Sequence, residues 1–332
     1  MNPLRIGMVG TGFIADYHLS AFSKFQGVEI AGIHYTSHSQ APSQEKLLQI
    51  EEFCAKWKTK NYQTFDSIVK DPDIDALIIG SVNPLHFEEI MSSLDHGKHV
   101  LVEKPVVTDF RLLDEIEKKA KQSGLVVFPA HNFVYRSAVR KAKEILDWKK
   151  LGKIVYSQFI SSHTISSNHA NGWRGKLALS SGGALMDSGH HLVYQSLYLM
   201  GLPEKIQSFQ SNLILKQMEG EDIGQINILY PDGSIGTIMQ SWTTDSGDEI
   251  GGIKIVGTEG HLEVTDALYV NGEKVDSGAD YPSSFDCLAE AFVRAIKNGE
   301  KPLSDLADVR NTLKIIFGAY ESNRNNKVIQ LS

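Results

Sequence analysis

Up to about residue 130, the chain alternates short apolar runs with segments of helical periodicity. One of these helices is predicted to begin after a cap at Thr108 or Asp109 and to end at Gly124. The apolar runs predict buried strands at Ile6–Val9, Ile30–Ile33, Ala76–Ile79, Val100–Val102 and Leu125–Phe128. Repeated strand–helix–strand units predict an α/β fold with a doubly wound parallel sheet.

Beyond residue 130 the pattern changes to runs with alternating apolar residues, separated by turns. Strands are predicted at Lys153–Ser161, Ile206–Leu215, Ile223–Tyr230, Ser234–Trp242, Ile250–Val256 and His261–Val264. Helices are predicted at Ala138–Leu146, Gly183–Met200, Phe285–Lys297 and Leu306–Asn323. We therefore expect a first domain over residues 1–128 and an α+β domain with a broad mixed sheet over residues 129–332. Such a sheet has a face to cover, which favours a homo-oligomer.

The polar segment 38–49, which contains Pro42, is predicted to be a long excursion after the second strand. It carries no clear periodicity.

The composition is that of an ordinary globular protein and narrows the classes of partner. The chain has 332 residues, 42% of them hydrophobic, and a net charge of −7 without a basic run, which argues against nucleic acid. No apolar run is long enough to span a bilayer, and the start of the chain lacks the apolar core of a signal peptide. Cys54 and Cys287 lie far apart without metal-ligand spacing. These features favour a reducing, cytoplasmic compartment.

The motif HVLVEKP (residues 99–105) is a buried strand that ends in Glu103, Lys104 and a proline. The ends of strands that face a crevice are where open α/β sheets bind ligands. Lys104 is therefore expected to hold a positive charge beside a pocket.

The motif GTGFIA (residues 10–15) follows the first predicted strand and opens the first helix. Gly10 and Gly12 permit a tight turn and the close approach of a pyrophosphate to the helix N-terminus, with Phe13 and Ile14 in the first turn. A lone glycine motif is weak support, but its position between strand and helix predicts a dinucleotide site.

The end of the second predicted strand leaves the choice of dinucleotide open. An acid that binds the ribose is expected there, but the sequence reads HYTSH (residues 34–38). The hydroxyls of Thr36 and Ser37 suit either ribose, so both NAD and NADP remain candidates.

Two further segments carry candidate chemistry. Asn83 and His86 follow the strand at Ala76–Ile79, where a loop lines the same crevice, although His86 is equally well explained as a passive residue of the first helical turn. In GGALMDSGHH (residues 182–191), Asp187 and His191 are four residues apart, so one helix would place both on one face. A carboxylate beside an imidazole suits general acid–base chemistry, although an ion pair on a helix face explains the spacing as well.

Two other classes of site receive little support. The second domain is rich in potential metal ligands, His163, His169 and His190 among them, but no motif with metal-ligand spacing occurs, so no metal is expected. No Gly-x-Ser-x-Gly elbow is present either, so hydrolysis by a serine triad is not favoured.

Taken together, GTGFIA, GKHVLVEKP and GGALMDSGHH resemble the glucose–fructose oxidoreductase / inositol dehydrogenase / rhizopine-catabolism (Gfo/Idh/MocA) family along essentially the whole chain. The resemblance implies an N-terminal Rossmann domain and a C-terminal domain whose large, mostly antiparallel open sheet serves in oligomerisation, as a homodimer or homotetramer. It also implies NAD(P)-dependent redox chemistry on sugars or polyols.

By the same resemblance, the family's catalytic lysine, aspartate and histidine fall on Lys104, Asp187 and His191. The expected cofactor-binding residues are Gly10, Gly12, Phe13, Ile14, Thr36, Ser37, Ser81, Asn83, His86, Glu103, Lys104, Asn132, Trp173 and Arg174.

Three positions depart from the family pattern. The usual acid or Ser-Arg after the second strand is missing, and the family's Thr-Pro-Asn reads Ser-Val-Asn at residues 81–83. The acid or amide often found three residues beyond the histidine is Tyr194.

We therefore expect hydride transfer between a nicotinamide and a secondary alcohol. His191 takes the hydroxyl proton, Lys104 stabilises the alkoxide, and Asp187 orients His191 or binds a neighbouring hydroxyl. The alternative is a regulatory protein of the same fold that senses dinucleotide and sugar without turnover.

Overall fold

The computed structural model describes residues 3–36, 43–243, 250–278 and 280–331. These fall into two compact units. The first comprises residues 1–132 and 285–306, and the second comprises residues 133–284 and 307–332. The first unit therefore takes in a late segment that the predicted division at residue 128 assigns to the second domain.

The first unit is built on a six-stranded sheet in the order β3-β2-β1-β4-β5-β6, with every pair parallel. Its strands are β1 (Leu4–Val9), β2 (Val28–His34), β3 (Lys60–Tyr62), β4 (Ala76–Ile79), β5 (His99–Val102) and β6 (Val127–Pro129). Its helices are α1 (Phe13–Phe22), α2 (Gln44–Lys56), α3 (Phe65–Val69), α4 (Asn83–Asp95) and α5 (Phe110–Ser123). This strand order is that of a Rossmann fold, so the predicted doubly wound sheet is confirmed.

Local signals in the sequence explain both ends of α5, the helix predicted to begin after Thr108 or Asp109 and to end at Gly124. The Asp109 side chain caps α5 by accepting a hydrogen bond from the Arg111 N–H (2.8 Å), and Gly124 ends the helix with a left-handed backbone. All four residues of β4 are buried, as expected for a central strand covered on both faces.

Three elements of the first unit were not predicted: β3, α2 and α3. The strand β3 has only three residues, and α2 is a polar helix within the expected excursion. The hydroxyl of Ser43 caps α2 by accepting a hydrogen bond from the Lys46 N–H (3.2 Å). Residues 38–42 of that segment lie outside the described residues.

The second unit contains a nine-stranded sheet in the order β14-β13-β12-β11-β7-β10-β9-β8-β15. Its strands are β7 (Ile154–Ser162), β8 (Lys205–Ser211), β9 (Ile223–Leu229), β10 (Ile235–Ser241), β11 (Ile250–Gly257), β12 (Gly260–Val264), β13 (Leu268–Val270), β14 (Glu273–Asp276) and β15 (Ile329–Gln330). Within this sheet, only β7 and β10 pair in parallel among the described strands, which confirms the predicted mixed, mostly antiparallel sheet.

The remaining helices are α6 (Ser137–Asp147), α7 (Ser167–Asn171), α8 (Leu177–Ser180), α9 (Gly189–Met200), α10 (Tyr281–Asn298) and α11 (Leu306–Asn325). Two short 3-10 helices occupy Asn132–Tyr135 and Trp173–Gly175. The part of α10 beyond residue 284 belongs to the first unit, where Phe292 packs against Phe22 and Phe128 at ring distances of 6.0 and 5.6 Å.

The predicted helix over Gly183–Met200 is wrong at its start. Residues 182–188 form turns, and α9 begins only at Gly189. The turns are held by backbone hydrogen bonds from the Gly189 N–H to the Ala184 carbonyl (2.8 Å) and from the Asp187 N–H to the Gly183 carbonyl (3.1 Å). Asp187 therefore precedes the helix that carries His191, and the two do not share a helix face.

No helix among the described residues is long and apolar enough to cross a membrane.

Candidate active site

The glycine turn between β1 and α1 has the shape that a pyrophosphate requires. Gly10 has φ +98°, and a Cβ there would lie 2.5 Å from the Gly80 carbonyl oxygen, so only glycine fits. Gly12 precedes α1 without a side-chain cap, and a Cβ there would meet no atom within 4 Å. The buried Thr11 hydroxyl has no hydrogen-bond partner in the described part of the chain. The turn thus offers open space, exposed helix N–H groups and an unsatisfied hydroxyl, which fit a dinucleotide.

The first turn of α1 holds the next two expected residues. Phe13 is 75% exposed and contacts Tyr17 with ring centroids 5.0 Å apart, while Ile14 is half-buried. An exposed aromatic ring next to the glycine turn is available to a ligand rather than to the core.

The end of β2 opens into a cavity of about 670 Å³ within the first unit. His34, Tyr35 and Thr36 form one wall of it. The His34 Nδ1 lies 2.8 Å from the Tyr62 carbonyl oxygen, and burial lowers the pKa of His34, so its imidazole is neutral at pH 7. Ser37, the other residue expected here, lies outside the described residues.

His86 links the two loops that follow β4 and β5. It is fully buried, with Nδ1 2.9 Å from the Pro105 carbonyl oxygen and Nε2 3.2 Å from the Ser81 carbonyl oxygen. Burial lowers its pKa, so it is neutral. His86 therefore positions these loops from within the protein. Asn83 begins α4 beside it.

The end of β5 presents Lys104 from an anchored backbone. The Glu103 carboxylate lies 2.8 Å from His18 Nε2, and its other oxygen accepts a hydrogen bond from the Lys104 N–H (3.2 Å). His18 is 1% exposed, which holds Glu103 in place. The half-buried Lys104 precedes a cis peptide bond to Pro105.

His131 and Asn132 are buried residues of the unit that holds Lys104. Burial, with a smaller contribution from the charge of Lys104, lowers the pKa of His131 to about 3. His131 is thus neutral, with Nδ1 2.7 Å from the Ser304 hydroxyl. Asn132 is 2% exposed.

In the second unit, Asp187 pairs with Arg174. The Arg174 Nε donates to the Asp187 carboxylate at 2.6 Å, and the guanidinium lies over the Trp173 ring, 4.4 Å from its centroid. Trp173 and Arg174 come from one 3-10 helix, so a short local turn carries both the guanidinium and the ring beneath it.

Glu221, which no motif in the sequence indicates, fixes the turn that carries Asp187. Its carboxylate accepts hydrogen bonds from the N–H groups of Gly183 (3.1 Å) and Leu185 (2.9 Å) and from the Tyr320 hydroxyl (3.0 Å). Burial raises the pKa of Glu221. Its contacts are between residues far apart in the chain, so no spacing in the sequence indicates them.

His191 is held by two aromatic residues. Its Nδ1 lies 2.6 Å from the Tyr194 hydroxyl, and its ring stacks on Phe133 with centroids 4.4 Å apart at 17°. The Phe133 N–H also donates to the Tyr194 oxygen (3.1 Å). The sequence marked Tyr194 as a departure, but its role beside His191 depends on this geometry.

The expected residues thus form two groups. In the first unit, the glycine turn, Ser81, Glu103 and Lys104 lie around the carboxyl ends of β1, β4 and β5, where an open parallel sheet binds ligands. In the second unit, Arg174 pairs with Asp187, and His191 lies in the first turn of α9, four residues further along the chain. The first group suits a dinucleotide, and the second supplies an imidazole and a carboxylate for proton transfer. No cluster of three potential metal-binding side chains occurs among the described residues.

Comparison with known proteins identifies relatives over the whole chain. The model described as "Oxidoreductase family, NAD-binding Rossmann fold" matches residues 4–131, and the "GFO/IDH/MocA C-terminal domain" matches residues 139–263. The NAD(+)-dependent scyllo-inositol 2-dehydrogenase of Bacillus subtilis is 24% identical over 99% of this chain and 97% of the relative. The myo-inositol 2-dehydrogenase of Thermotoga maritima is 22% identical over 99% and 98%.

Solved structures show the same fold. Levoglucosan dehydrogenase in complex with NADH superimposes with a TM-score of 0.87 at 20% identity, over 100% of both chains. An oxidoreductase of Thermotoga maritima gives a TM-score of 0.86 at 22% identity, over 99% of both chains.

Proposed function

Because the chain belongs to the Gfo/Idh/MocA family of NAD-binding oxidoreductases, we propose that it is a dehydrogenase acting on CH–OH groups. It transfers a hydride between a nicotinamide dinucleotide and a secondary alcohol, or the corresponding ketone, of a sugar, polyol or related small molecule. The observation that carries this proposal is the anchored Lys104 at the end of β5, in the same unit as an open glycine turn. Curated relatives that act on inositols support the substrate class.

The residues that hold the dinucleotide belong to the first unit. The helix N-terminus after Gly12 and the Thr11 hydroxyl would hold the pyrophosphate, and the cavity beside Thr36 would hold the adenosine end. When bound, NAD(P) supplies the two-electron carrier that accepts or donates the hydride.

Lys104 stabilises the oxygen at which negative charge develops. As the hydride leaves the carbon with its electron pair, the alcohol oxygen loses its proton and becomes a carbonyl oxygen. A positive charge at this oxygen favours the alkoxide-like transition state, and in the reverse direction it polarises the ketone.

His191 receives the hydroxyl proton at Nε2. Its Nδ1 keeps its hydrogen and donates to the Tyr194 oxygen, which leaves Nε2 unprotonated and able to act as a base. Asp187 remains paired with Arg174 and binds a neighbouring hydroxyl of the substrate. In this proposal His191 transfers the proton, and Asp187 orients the substrate.

The function is tested by following absorbance at the nicotinamide band with a panel of inositols, aldoses and other polyols. We expect cofactor-dependent reduction of NAD+ or NADP+ by at least one polyol. A protein that binds cofactor but turns over nothing across the panel would instead be the sensor of the same fold.

We further propose a homodimer or homotetramer in the cytoplasm, assembled through the nine-stranded sheet. Ile235 of β10 and Phe209 of β8 are 54% and 56% exposed on one face of that sheet, which leaves apolar surface there to be covered. Neither cysteine is in a disulfide in the described part of the chain, in keeping with a reducing compartment. Sedimentation analysis measures the oligomeric state.

A further inference from the structure

The second unit contains a cavity of its own, lined by residues from the end of β8, the short helix α8 and the C-terminal half of α11. Its volume is about 990 Å³, and binding sites for small molecules occupy roughly 300–1,000 Å³. Among the described residues, neither Asp187 nor His191 lines it. The cavity is therefore separate from the groups to which we assign proton transfer and substrate orientation.

The walls of this cavity are rich in amide and hydroxyl side chains. Those used here are Gln210, Ser211, Asn212, Asn323 and Asn325. An amide donates hydrogen bonds through its nitrogen and accepts them through its oxygen, and a hydroxyl does both. Each hydroxyl of a sugar or polyol also donates and accepts, so these walls match such a ligand group for group.

Asn212 contributes an acceptor that the protein itself does not satisfy. Its amide nitrogen donates to the carbonyl oxygens of Met218 (2.9 Å) and Gly220 (3.0 Å). Its amide oxygen is buried and has no hydrogen-bond partner in the described part of the chain. An unsatisfied buried acceptor is costly, and a hydroxyl donor from an occupant of the cavity would remove that cost.

Two aromatic residues add apolar surface to the same cavity. Phe317 and Tyr320 both line it and lie three residues apart on α11, so they share one side of the helix. A sugar or cyclic polyol has C–H groups on its ring faces and hydroxyls around its edge. Aromatic rings beside amides therefore suit both parts of such a molecule.

The charges of the cavity favour an uncharged ligand. Three carboxylates line it, those of Glu219, Glu221 and Glu321, and they oppose an anion. Glu321 already pairs with Lys327 at 3.4 Å. Arg324 also lines the cavity, forms no ion pair in the described part of the chain, and opposes a cation. A neutral polyol avoids both repulsions and can hydrogen-bond to either kind of group.

One wall of the cavity is joined to the turn that carries Asp187. The Tyr320 hydroxyl donates to the Glu221 carboxylate at 3.0 Å, and Glu221 is only 9% exposed. The same carboxylate accepts hydrogen bonds from two N–H groups of that turn. Gly182, which lines the cavity, permits this approach, because a Cβ there would lie 2.2 Å from the Tyr320 hydroxyl oxygen. An occupant that holds Tyr320 therefore restrains the carboxylate on which the turn depends.

We propose that this cavity is a second binding site, which takes an uncharged sugar or polyol and whose occupation stabilises the turn that carries Asp187. The inference goes beyond the proposed function and does not depend on turnover. A ligand that binds the protein more tightly when the turn is ordered shifts the population toward the ordered turn.

The ligand class is tested by calorimetric titration of the full chain without cofactor. The uncharged probes are myo-inositol, D-glucose and D-xylose, and the charged counterparts of glucose are D-glucosamine and D-glucuronate. We expect at least one uncharged probe to bind, and both charged sugars to bind several-fold more weakly than D-glucose. Binding by none of the uncharged probes, or tighter binding of a charged sugar, overturns the inference.

Variants locate the bound probe. Arg324→Ala removes a donor from the cavity wall and is expected to weaken binding by about tenfold. Lys314→Ala removes an exposed cation of α11 outside the cavity and should leave the affinity unchanged. His191→Ala, in the second unit but outside the cavity, should also retain binding. Wild-type affinity in Arg324→Ala, or loss of binding in His191→Ala, would place the probe elsewhere and overturn the inference.

Hydrogen exchange tests the connection to the turn. In wild type and in His191→Ala, a saturating concentration of the bound probe should slow exchange of the Gly183 and Leu185 N–H groups several-fold. The same concentration should have a smaller effect in Arg324→Ala. Unchanged exchange in wild type with the probe bound would show that occupation does not stabilise the turn, and it would overturn that part of the proposal.

Discussion

The hydroxyl of Tyr194 lies 2.6 Å from Nδ1 of His191, and the Phe133 N–H donates to the same oxygen at 3.1 Å. Tyr194 is 2% exposed, so its ring and hydroxyl are held by the interior of the second unit. A buried phenol therefore occupies the place beside the imidazole where the sequence suggested Asp187. In the proposed mechanism, this contact fixes the tautomer of His191.

Tyr194→Phe is expected to alter the pH dependence of catalysis. Loss of the phenol oxygen removes the partner that fixes the tautomer of His191, so Nε2 is ready to accept a proton in only part of the molecules. The pH profile of kcat/KM should change, with kcat reduced by about tenfold. His191→Ala, measured alongside, should abolish the pH dependence that this imidazole confers. An unchanged profile in Tyr194→Phe would show that the pair has no part in proton transfer.

Lys104→Met is expected to reduce kcat by about a hundredfold or more, because it removes a charge that stabilises the transition state. Cofactor affinity, measured by the quenching of protein fluorescence, should change only a few-fold by comparison. Lys104→Arg retains the charge and serves as the matched control. Near-normal turnover in Lys104→Met would remove Lys104 from the mechanism.

Gly12→Ala separates cofactor binding from folding. A Cβ at Gly12 meets no protein atom within 4 Å, so the melting temperature without cofactor should stay within a degree or two of wild type. The same methyl group fills space that the pyrophosphate needs, so NAD+ affinity should fall by about tenfold or more. Gly10→Ala is the contrasting variant, since its Cβ would lie 2.5 Å from the Gly80 carbonyl oxygen and should lower stability directly. Unaltered NAD+ binding by Gly12→Ala would place the cofactor elsewhere.

Glu89 is expected to make stability fall as pH rises. Burial raises its pKa from 4.5 to about 7, so the folded state binds more protons than the unfolded state between those values. The cost of ionising the buried carboxyl is absent below pH 4.5 and fully present above about pH 7, where it reaches at most about 3 kcal/mol. Glu89→Gln carries no such charge. The free energy of unfolding of the variant, relative to wild type, should therefore increase between about pH 5 and pH 8 in urea titrations. A constant difference would contradict the raised pKa.

Glu221→Ala is expected to loosen the turn that carries Asp187. It leaves the N–H groups of Gly183 and Leu185 without their acceptor, at a cost of about 2 kcal/mol or more in stability. Catalytic readouts should show a raised KM and a reduced kcat. Tyr320→Phe removes one donor to Glu221 but keeps the carboxylate, and it should have a smaller effect on both. Wild-type kinetic constants in Glu221→Ala would restrict Glu221 to a purely structural role.

The Rossmann sheet was predictable because its signals are local. Each central strand, such as Ala76–Ile79, is a short apolar run, and α5 has a cap at Asp109 and a stop at Gly124. The elements of the first unit that were missed, β3, α2 and α3, are short or polar, so their formation depends on neighbouring strands and on the Ser43 and Thr64 caps rather than on periodicity.

The wrong start of α9 has a similar cause. The spacing of four residues predicted that Asp187 and His191 share a helix face. In the structure, Glu221 accepts hydrogen bonds from the N–H groups of Gly183 and Leu185 and holds the residues before α9 in turns. A contact between residues so distant in the chain leaves no periodic trace in the sequence.

By itself the sequence determined the doubly wound sheet, the glycine turn at Gly10 and Gly12 and the position of Lys104 after a buried strand, because these follow from residues adjacent in the chain. Only the tertiary structure decided that Tyr194 bonds His191, that Arg174 pairs with Asp187 and that Glu89 lines the cavity beside β2. These contacts depend on burial and on distances between separate elements, which a linear pattern does not encode.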